Sequence, residues 1–248
     1  MTDPLRTALL YSLFPVVATI LGAAAGAYLP GLARWRSLIL HFAAGVVFSV
    51  ISVDLLPEVT RRALVPSVVV GFALGVTVMF AARYFSERLS GEASRANSAS
   101  KPAENLGGLL AAVAIDFFID GLLLGIGFAA GSRIGILLAL AETAEQFSVG
   151  LALTGELTRS GVSPRRATLT ALGLSMIVFV AAAGGATVLG HLTDRAMETV
   201  LSFGLAALLY LVTEELLKEA HEEPESRVGT ALFFVGFLLF LVIGMVVG

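Results

Sequence analysis

The sequence predicts an all-α integral membrane fold with eight transmembrane helices, and three observations lead there. Apolar residues make up 57% of the 248-residue chain, against 14% for Asp, Glu, Lys and Arg. Mean hydropathy is +0.90, too apolar for a domain bathed in water. The apolar residues also fall in continuous blocks close to the roughly 20 residues that a helix needs to cross hydrocarbon. A membrane barrel would instead show short alternating strands.

Taken in order, the first span is expected near 8–29, inside the uncharged stretch Thr7–Ala33. It is expected to be retained, because only Arg6 precedes it and no clear small-residue cleavage site is present. The second, near 37–57, carries Asp54, and the third, near 63–82, is uncharged. Residues 83–105, containing SGEASRANSASKPAEN, have the small, polar composition of a flexible linker and form the one long connection. The fourth span, near 106–131, and the fifth, near 134–155, each carry a pair of acids close to their middles. The sixth, near 167–190, is uncharged; the seventh, near 197–217, ends on Glu214 and Glu215; the eighth, near 228–247, is uncharged. Short loops elsewhere make neighbouring helices antiparallel, so 1–248 reads as one polytopic membrane domain.

Charge placement orients the bundle. The loops 30–36, 83–105, 156–166 and 218–227 hold eleven Lys and Arg residues, and the opposite side holds five. The positive-inside rule puts the richer side in the cytoplasm and both termini outside. A net charge of −3 gives no reason to expect nucleic acid as a partner. With no cysteine there is neither a disulfide framework nor a thiolate metal site.

An internal echo runs through the chain. Phe42–Val59 reads FAAGVVFSVISVDLLPEV and Phe203–Ala220 reads FGLAALLYLVTEELLKEA. At an offset of 161, Phe42 meets Phe203, Asp54 meets Glu215, and DLLPE meets ELLKE. These are the second and seventh of eight spans, so they run in opposite directions. Inverted repeats flanking a central pair are a transporter design with its site near the midplane, which predicts a 3+2+3 arrangement.

The chemistry lies in the central pair. An ionised acid at bilayer depth costs about 2.5–3.5 kcal/mol on insertion scales, so it needs a partner or a polar cavity. Asp116 and Asp120 are four apart, and Glu142 and Glu145 three apart, spacings that put each pair on one helix face. Gly121, Gly125, Ala141, Ala144 and Gly150 allow close helix approach. The four acids are therefore expected to form one acidic cage for a hard divalent cation such as Mg, Ca, Mn or Fe(II), with Zn tolerated. The plainer reading is that they bond to Ser, Thr or protonated partners and lock the helices. Gln146 and Ser175 are accessory polar candidates. Asp54 is read either as an entrance ligand or as a hydrogen-bond partner of Ser49 or Ser52. Glu214 and Glu215 are read as guides for exiting cations or as a solvated helix end. His41 is expected at the membrane edge, and His221 with Glu222, Glu223 and Glu225 in a solvated acidic loop.

Over nearly its whole length the chain resembles the ZIP (Zrt/Irt-like) metal-ion transporters. HFAAGVVFSVISVDLLPEV is similar to that family's second-span pattern, and LYLVTEELLKEAHE to the YxxxEELxPEAH of bacterial members, with Lys218 where Pro is usual. The fourth-span motif H-N-x-x-E/D-G is met by Asp116-Phe117-Phe118-Ile119-Asp120-Gly121. The fifth-span motif H/Q-D/E-x-P-H/E is met by Ala141-Glu142-Thr143-Ala144-Glu145. The resemblance thus implies Asp116, Asp120, Glu142 and Glu145 as metal ligands. Phe117 and Ala141 replace ligands, which implies one metal ion at a time, and the lost imidazole weakens the case for zinc. The resemblance also implies a homodimer in a prokaryotic inner membrane, surrounded by lipid. The divalent metal (zinc, manganese, iron or similar) would be substrate moving toward the cytoplasm, and no cofactor or enzyme activity is expected.

Two rivals remain open. Asp116 and Asp120 have the Asp-x-x-x-Asp spacing of intramembrane Mg-dependent prenyltransferases, although no Lys or Arg lies between Asn105 and Arg133 to meet a diphosphate. A metal-binding relative that does not transport is the other.

Overall fold

The computed structural model describes residues 4–29, 31, 35–62, 64–95, 106–189, 192–221 and 227–247. Among these residues there is no strand. Eight helices are long and apolar enough to cross a membrane: Leu5–Tyr28, Arg36–Arg62, Val65–Phe85, Leu106–Ala130, Ser132–Arg159, Pro164–Thr187, Asp194–Leu216 and Arg227–Val246. The all-α membrane fold expected from the hydropathy blocks is therefore present.

Local chemistry explains several boundaries. Pro15 has no N–H to give the Tyr11 carbonyl, and the first span has a turn at Ser12 between Pro4–Tyr11 and Leu13–Tyr28. Gly161, with φ of 90°, takes the left-handed conformation that closes the fifth span, and Val162 N–H reaches back to Leu157 O at 3.0 Å. Thr193 caps the seventh span by accepting from Ala196 N–H. The third helix runs from Val65 to Arg95, past residue 83 where the linker was expected to begin. Glu87, Arg88, Leu89, Glu92 and Ala93 are good helix formers, which accounts for the continuation. The remainder of that linker, 96–105, lies outside the described residues.

Packing sorts the spans into two groups. The first packs on the fifth and the fourth on the sixth, and these four also touch one another. The second packs on the eighth and the third on the seventh. Exchanging spans one, two, three and four for six, seven, eight and five maps each heavy contact onto another. That is the pattern an inverted repeat produces. The backbone carries a second mark of the same relation. The second span widens to a π-helix at Ile51–Leu55 and the seventh at Leu211–Leu216, positions that coincide at the 161-residue offset. Pro57 follows the first widening, but Lys218 stands at the equivalent place in the seventh span, so proline alone does not make the turn.

The acid-bearing second, fifth and seventh spans are the most buried, while the third and eighth turn most of their surface outward. Val180, Met245 and Val246 are 69%, 70% and 80% exposed, an apolar outer face suited to lipid.

Close approach at glycine holds the heavy pairs. A Cβ at Gly45 would collide with the Phe233 carbonyl oxygen, and one at Gly22 with that of Phe147. Gly45→Ala is expected to cost about 2–3 kcal/mol, because backbone must move to admit the methyl group. Gly173, in a helix with open space beside it, should gain up to about 1 kcal/mol on substitution by Ala. Thermal unfolding of the two variants in detergent, read by circular dichroism, checks the opposite signs.

Candidate metal site

The fourth span is brought against the sixth at Gly121 and Gly125, which face Val178 and Gly185. This sets Asp116 and Asp120 along the side of the helix near the fifth span. Asp120, Glu142 and Glu145 are 1%, 3% and 2% exposed, whereas Asp116 is half-buried. Phe117 is wholly buried and Ala141 nearly so.

Asp120 is held from one side. Gln146 Nε2 donates to Asp120 Oδ2 at 2.7 Å, and Gln146 Oε1 is 3.0 Å from the Thr19 hydroxyl. The carboxylate can only accept, so this contact orients the amide, and Thr19 ties the arrangement to the first span. Glu142 is different. Both its carboxylate oxygens are buried and have no hydrogen-bond partner among the described residues, and the same holds for Glu145 Oε2 and Ser148 Oγ. Leaving a buried polar group without a partner costs about 1–3 kcal/mol, and more for a charge. A divalent cation suits such oxygens.

The site also draws on the seventh span. Asp116, Asp120, Glu142, Glu145 and Glu215 lie close enough to act on one another electrostatically. Glu215 sits in the π-helix Leu211–Leu216, half-buried and within electrostatic reach of Asp116. Its sequence partner Asp54 is not part of this cluster. Asp54 Oδ1 lies 3.1 Å from Arg133 Nη2, and the same guanidinium donates to Gly244 O at 2.9 Å. Arg133, not Ser49 or Ser52, is thus the partner of Asp54, because the fifth span begins beside the end of the second. Glu214 faces Arg83 at 3.0 Å. Ser175 is fully buried and donates to Leu172 O on its own helix. His41 and His221 stand side by side at the ends of the second and seventh spans, their rings 5.2 Å apart. Glu222, Glu223 and Glu225 lie outside the described residues.

A cavity of about 770 Å³ reaches the cluster, lined by Asp116 and Glu215 inside and by Arg36, Arg83, Glu156 and Lys218 farther out. It lies at the end of the bundle that carries the cation-rich loops. Among the described residues, no three His, Cys, Asp or Glu side chains close into a ready-made metal cage. Asp116 and Glu215 line the cavity, while Asp120, Glu142 and Glu145 are buried and do not line it, with Gln146 bracing Asp120. Glu215 was legible in sequence through its match to Asp54. No sequence signal indicated Arg133 as the partner of Asp54.

The molecule is an integral membrane protein of all-α fold, with carboxylates buried where two groups of spans meet. No family model matches the chain. It is 33% identical over 138 residues to the zinc transporter GufA of Myxococcus xanthus, covering 55% of this chain and 54% of that protein. The chain therefore spans about half the length of the curated relative it matches.

The partnerless oxygens make a stability prediction. Glu142→Leu removes a buried carboxyl group that the folded state leaves without a partner, so the metal-free protein should become more stable by about 1–3 kcal/mol. Divalent metal should then raise its melting temperature less than it raises that of the wild type. Thermal unfolding with chelator and with added Zn or Mn measures both effects; a less stable metal-free variant would contradict this account of Glu142.

Proposed function

We propose that the chain is a ZIP-like secondary transporter that moves divalent metal cations, zinc, manganese or iron among them, through the carboxylates of the fourth and fifth spans. Asp116, Asp120, Glu142 and Glu145 are the ligands in this reading. Glu215 completes the path toward the cavity. The observation that carries it is the set of buried carboxylate oxygens on Glu142 and Glu145 without partners, within electrostatic reach of Asp116, which lines the cavity together with Glu215. The similarity to a protein named as a zinc transporter supports metal as the cargo.

The absence of a P-loop motif favours a gradient as the driving force. With the cation-rich loops in the cytoplasm, the cavity faces inward and both termini lie outside. The far end is then closed by Arg133, which belongs to the fifth span and grips Asp54 of the second and Gly244 of the eighth. The clamp thus joins the group that contains the fifth span to the group that contains the second and the eighth. Relative movement of the groups would release this contact while closing the cavity, giving alternating access. As a ZIP-like chain it would work as a homodimer in a prokaryotic inner membrane.

Purified protein in proteoliposomes should take up Zn or Mn down a gradient. Asp120→Ala and Glu145→Ala should each reduce uptake to the level of empty vesicles while remaining folded in detergent. Near-normal flux in either variant would remove the carboxylate site from the mechanism. Metal binding without isoprenoid diphosphate separates transport from the prenyltransferase reading, and flux separates it from a binding protein.

Binding should also release protons, since carboxylate ligands bind metal only when deprotonated. Affinity should therefore fall as the pH is lowered. Calorimetry of metal binding in buffers of different ionisation enthalpy gives the proton count. A heat that does not change with buffer would exclude proton exchange as the coupling.

A further inference from the structure

The protein has three histidines, and two of them meet at the cavity-side end of the bundle although 180 positions separate His41 from His221. Their ring centroids are 5.2 Å apart with the planes inclined at 56°. Two imidazoles that share one tetrahedral ion at about 2.0–2.1 Å have centroids roughly 5 Å apart, so the spacing suits a common ion.

The backbone prepares both rings in the same way. His41 Nδ1 lies 2.8 Å from Ser37 O, and His221 Nδ1 contacts Leu217 O, each the carbonyl four residues earlier. A carbonyl has no hydrogen to offer, so each Nδ1 must carry the proton and donate it. In the neutral ring this leaves Nε2 as the lone pair, and neither Nε2 has a hydrogen-bond partner among the described residues. Histidines that bind metal characteristically donate the other ring N–H to a carbonyl or carboxylate, which fixes both tautomer and ring orientation. Here that outer support exists for both rings.

The two helices are also pinned to each other at this point. Ser37 Oγ donates to Ala220 O at 2.7 Å, joining the start of the second span to the residue before His221. His41 is 6% exposed, so its ring is held by packing, while His221 is exposed and admits solvent. Arg36 and Lys218, near these histidines on the same two helices, line the cavity.

We propose that His41 and His221 form a second cation site, distinct from the buried carboxylates, in which two imidazole nitrogens and water hold one divalent transition-metal ion. Imidazole suits zinc, copper and nickel, whereas manganese, magnesium and calcium prefer oxygen. The site therefore discriminates by nitrogen affinity next to a cavity whose inner acids discriminate by oxygen affinity. It does not depend on the transport reading.

Electron spin-echo envelope modulation of Cu²⁺ bound to the full chain in detergent tests this directly. The remote nitrogen of a ligating imidazole gives a signature that carboxylates lack. Wild type should show two coordinating imidazoles. His41→Ala and His221→Ala should each leave one at most and weaken Cu²⁺ binding roughly tenfold or more. His221 is exposed, so its variant tests the proposal even where His41→Ala fails to fold. His191→Ala should leave the signature intact, and so should Asp120→Ala combined with Glu145→Ala, even where transport is lost. No nitrogen signature in wild type, or a signature that survives His221→Ala unchanged or vanishes only with His191→Ala, would overturn the proposal.

Discussion

Everything in this bundle answers to the cost of keeping carboxylates inside an apolar slab. Near the ends of the spans the problem is met by arginine. Asp54 pairs with Arg133, Glu58 with Arg61 and Arg62, Glu156 with Arg159, and Glu214 with Arg83. Toward the middle, Asp116, Asp120, Glu142 and Glu145 make no ion pair among the described residues, and Asp120 is braced by a neutral amide. A folded membrane protein keeps such groups only where something compensates them, and protonation or a bound cation would each do so for four carboxyl groups.

The two-group packing places this cost near the boundary between the groups. The ligand candidates on the fourth and fifth spans belong to one packed group, while Glu215 and Asp54 belong to the other. Within each group glycine lets backbones touch, so the helices pack as firmly as small residues allow in a membrane. Between the groups, the contacts at the two ends are polar: the Arg133 clamp at one, the cavity with Arg83 and Lys218 at the other. The π-helices in the second and seventh spans pack against spans of their own group. Asp54 and Glu215 lie in these two wide turns, the first paired with Arg133 and the second on the cavity wall.

Much of this was legible in the residues. Uninterrupted apolar blocks announced eight helices because hydrocarbon tolerates only backbone that satisfies its own hydrogen bonds. The i, i+4 and i, i+3 acid pairs announced a shared face, because side-chain direction along a helix follows from its pitch alone. The FAAGVVFSVISVDLLPEV echo pointed to Glu215 by its match with Asp54. What the echo did not carry was the difference between the two positions. Equivalent residues in an inverted repeat face opposite ends of the bundle, and each meets whatever neighbours that end supplies.

The sequence by itself thus determined the number of spans, their alternating direction, the acids that enter the membrane and the faces on which they lie. These are consequences of local composition and helical period, which need no knowledge of partners. Only the tertiary structure decided that Arg133 takes Asp54, that Gln146 takes Asp120, that Glu142 is left without a partner, and that His41 meets His221. Each of those depends on which helix stands beside which, at what height and rotation, and glycine contacts between residues far apart in sequence set that geometry.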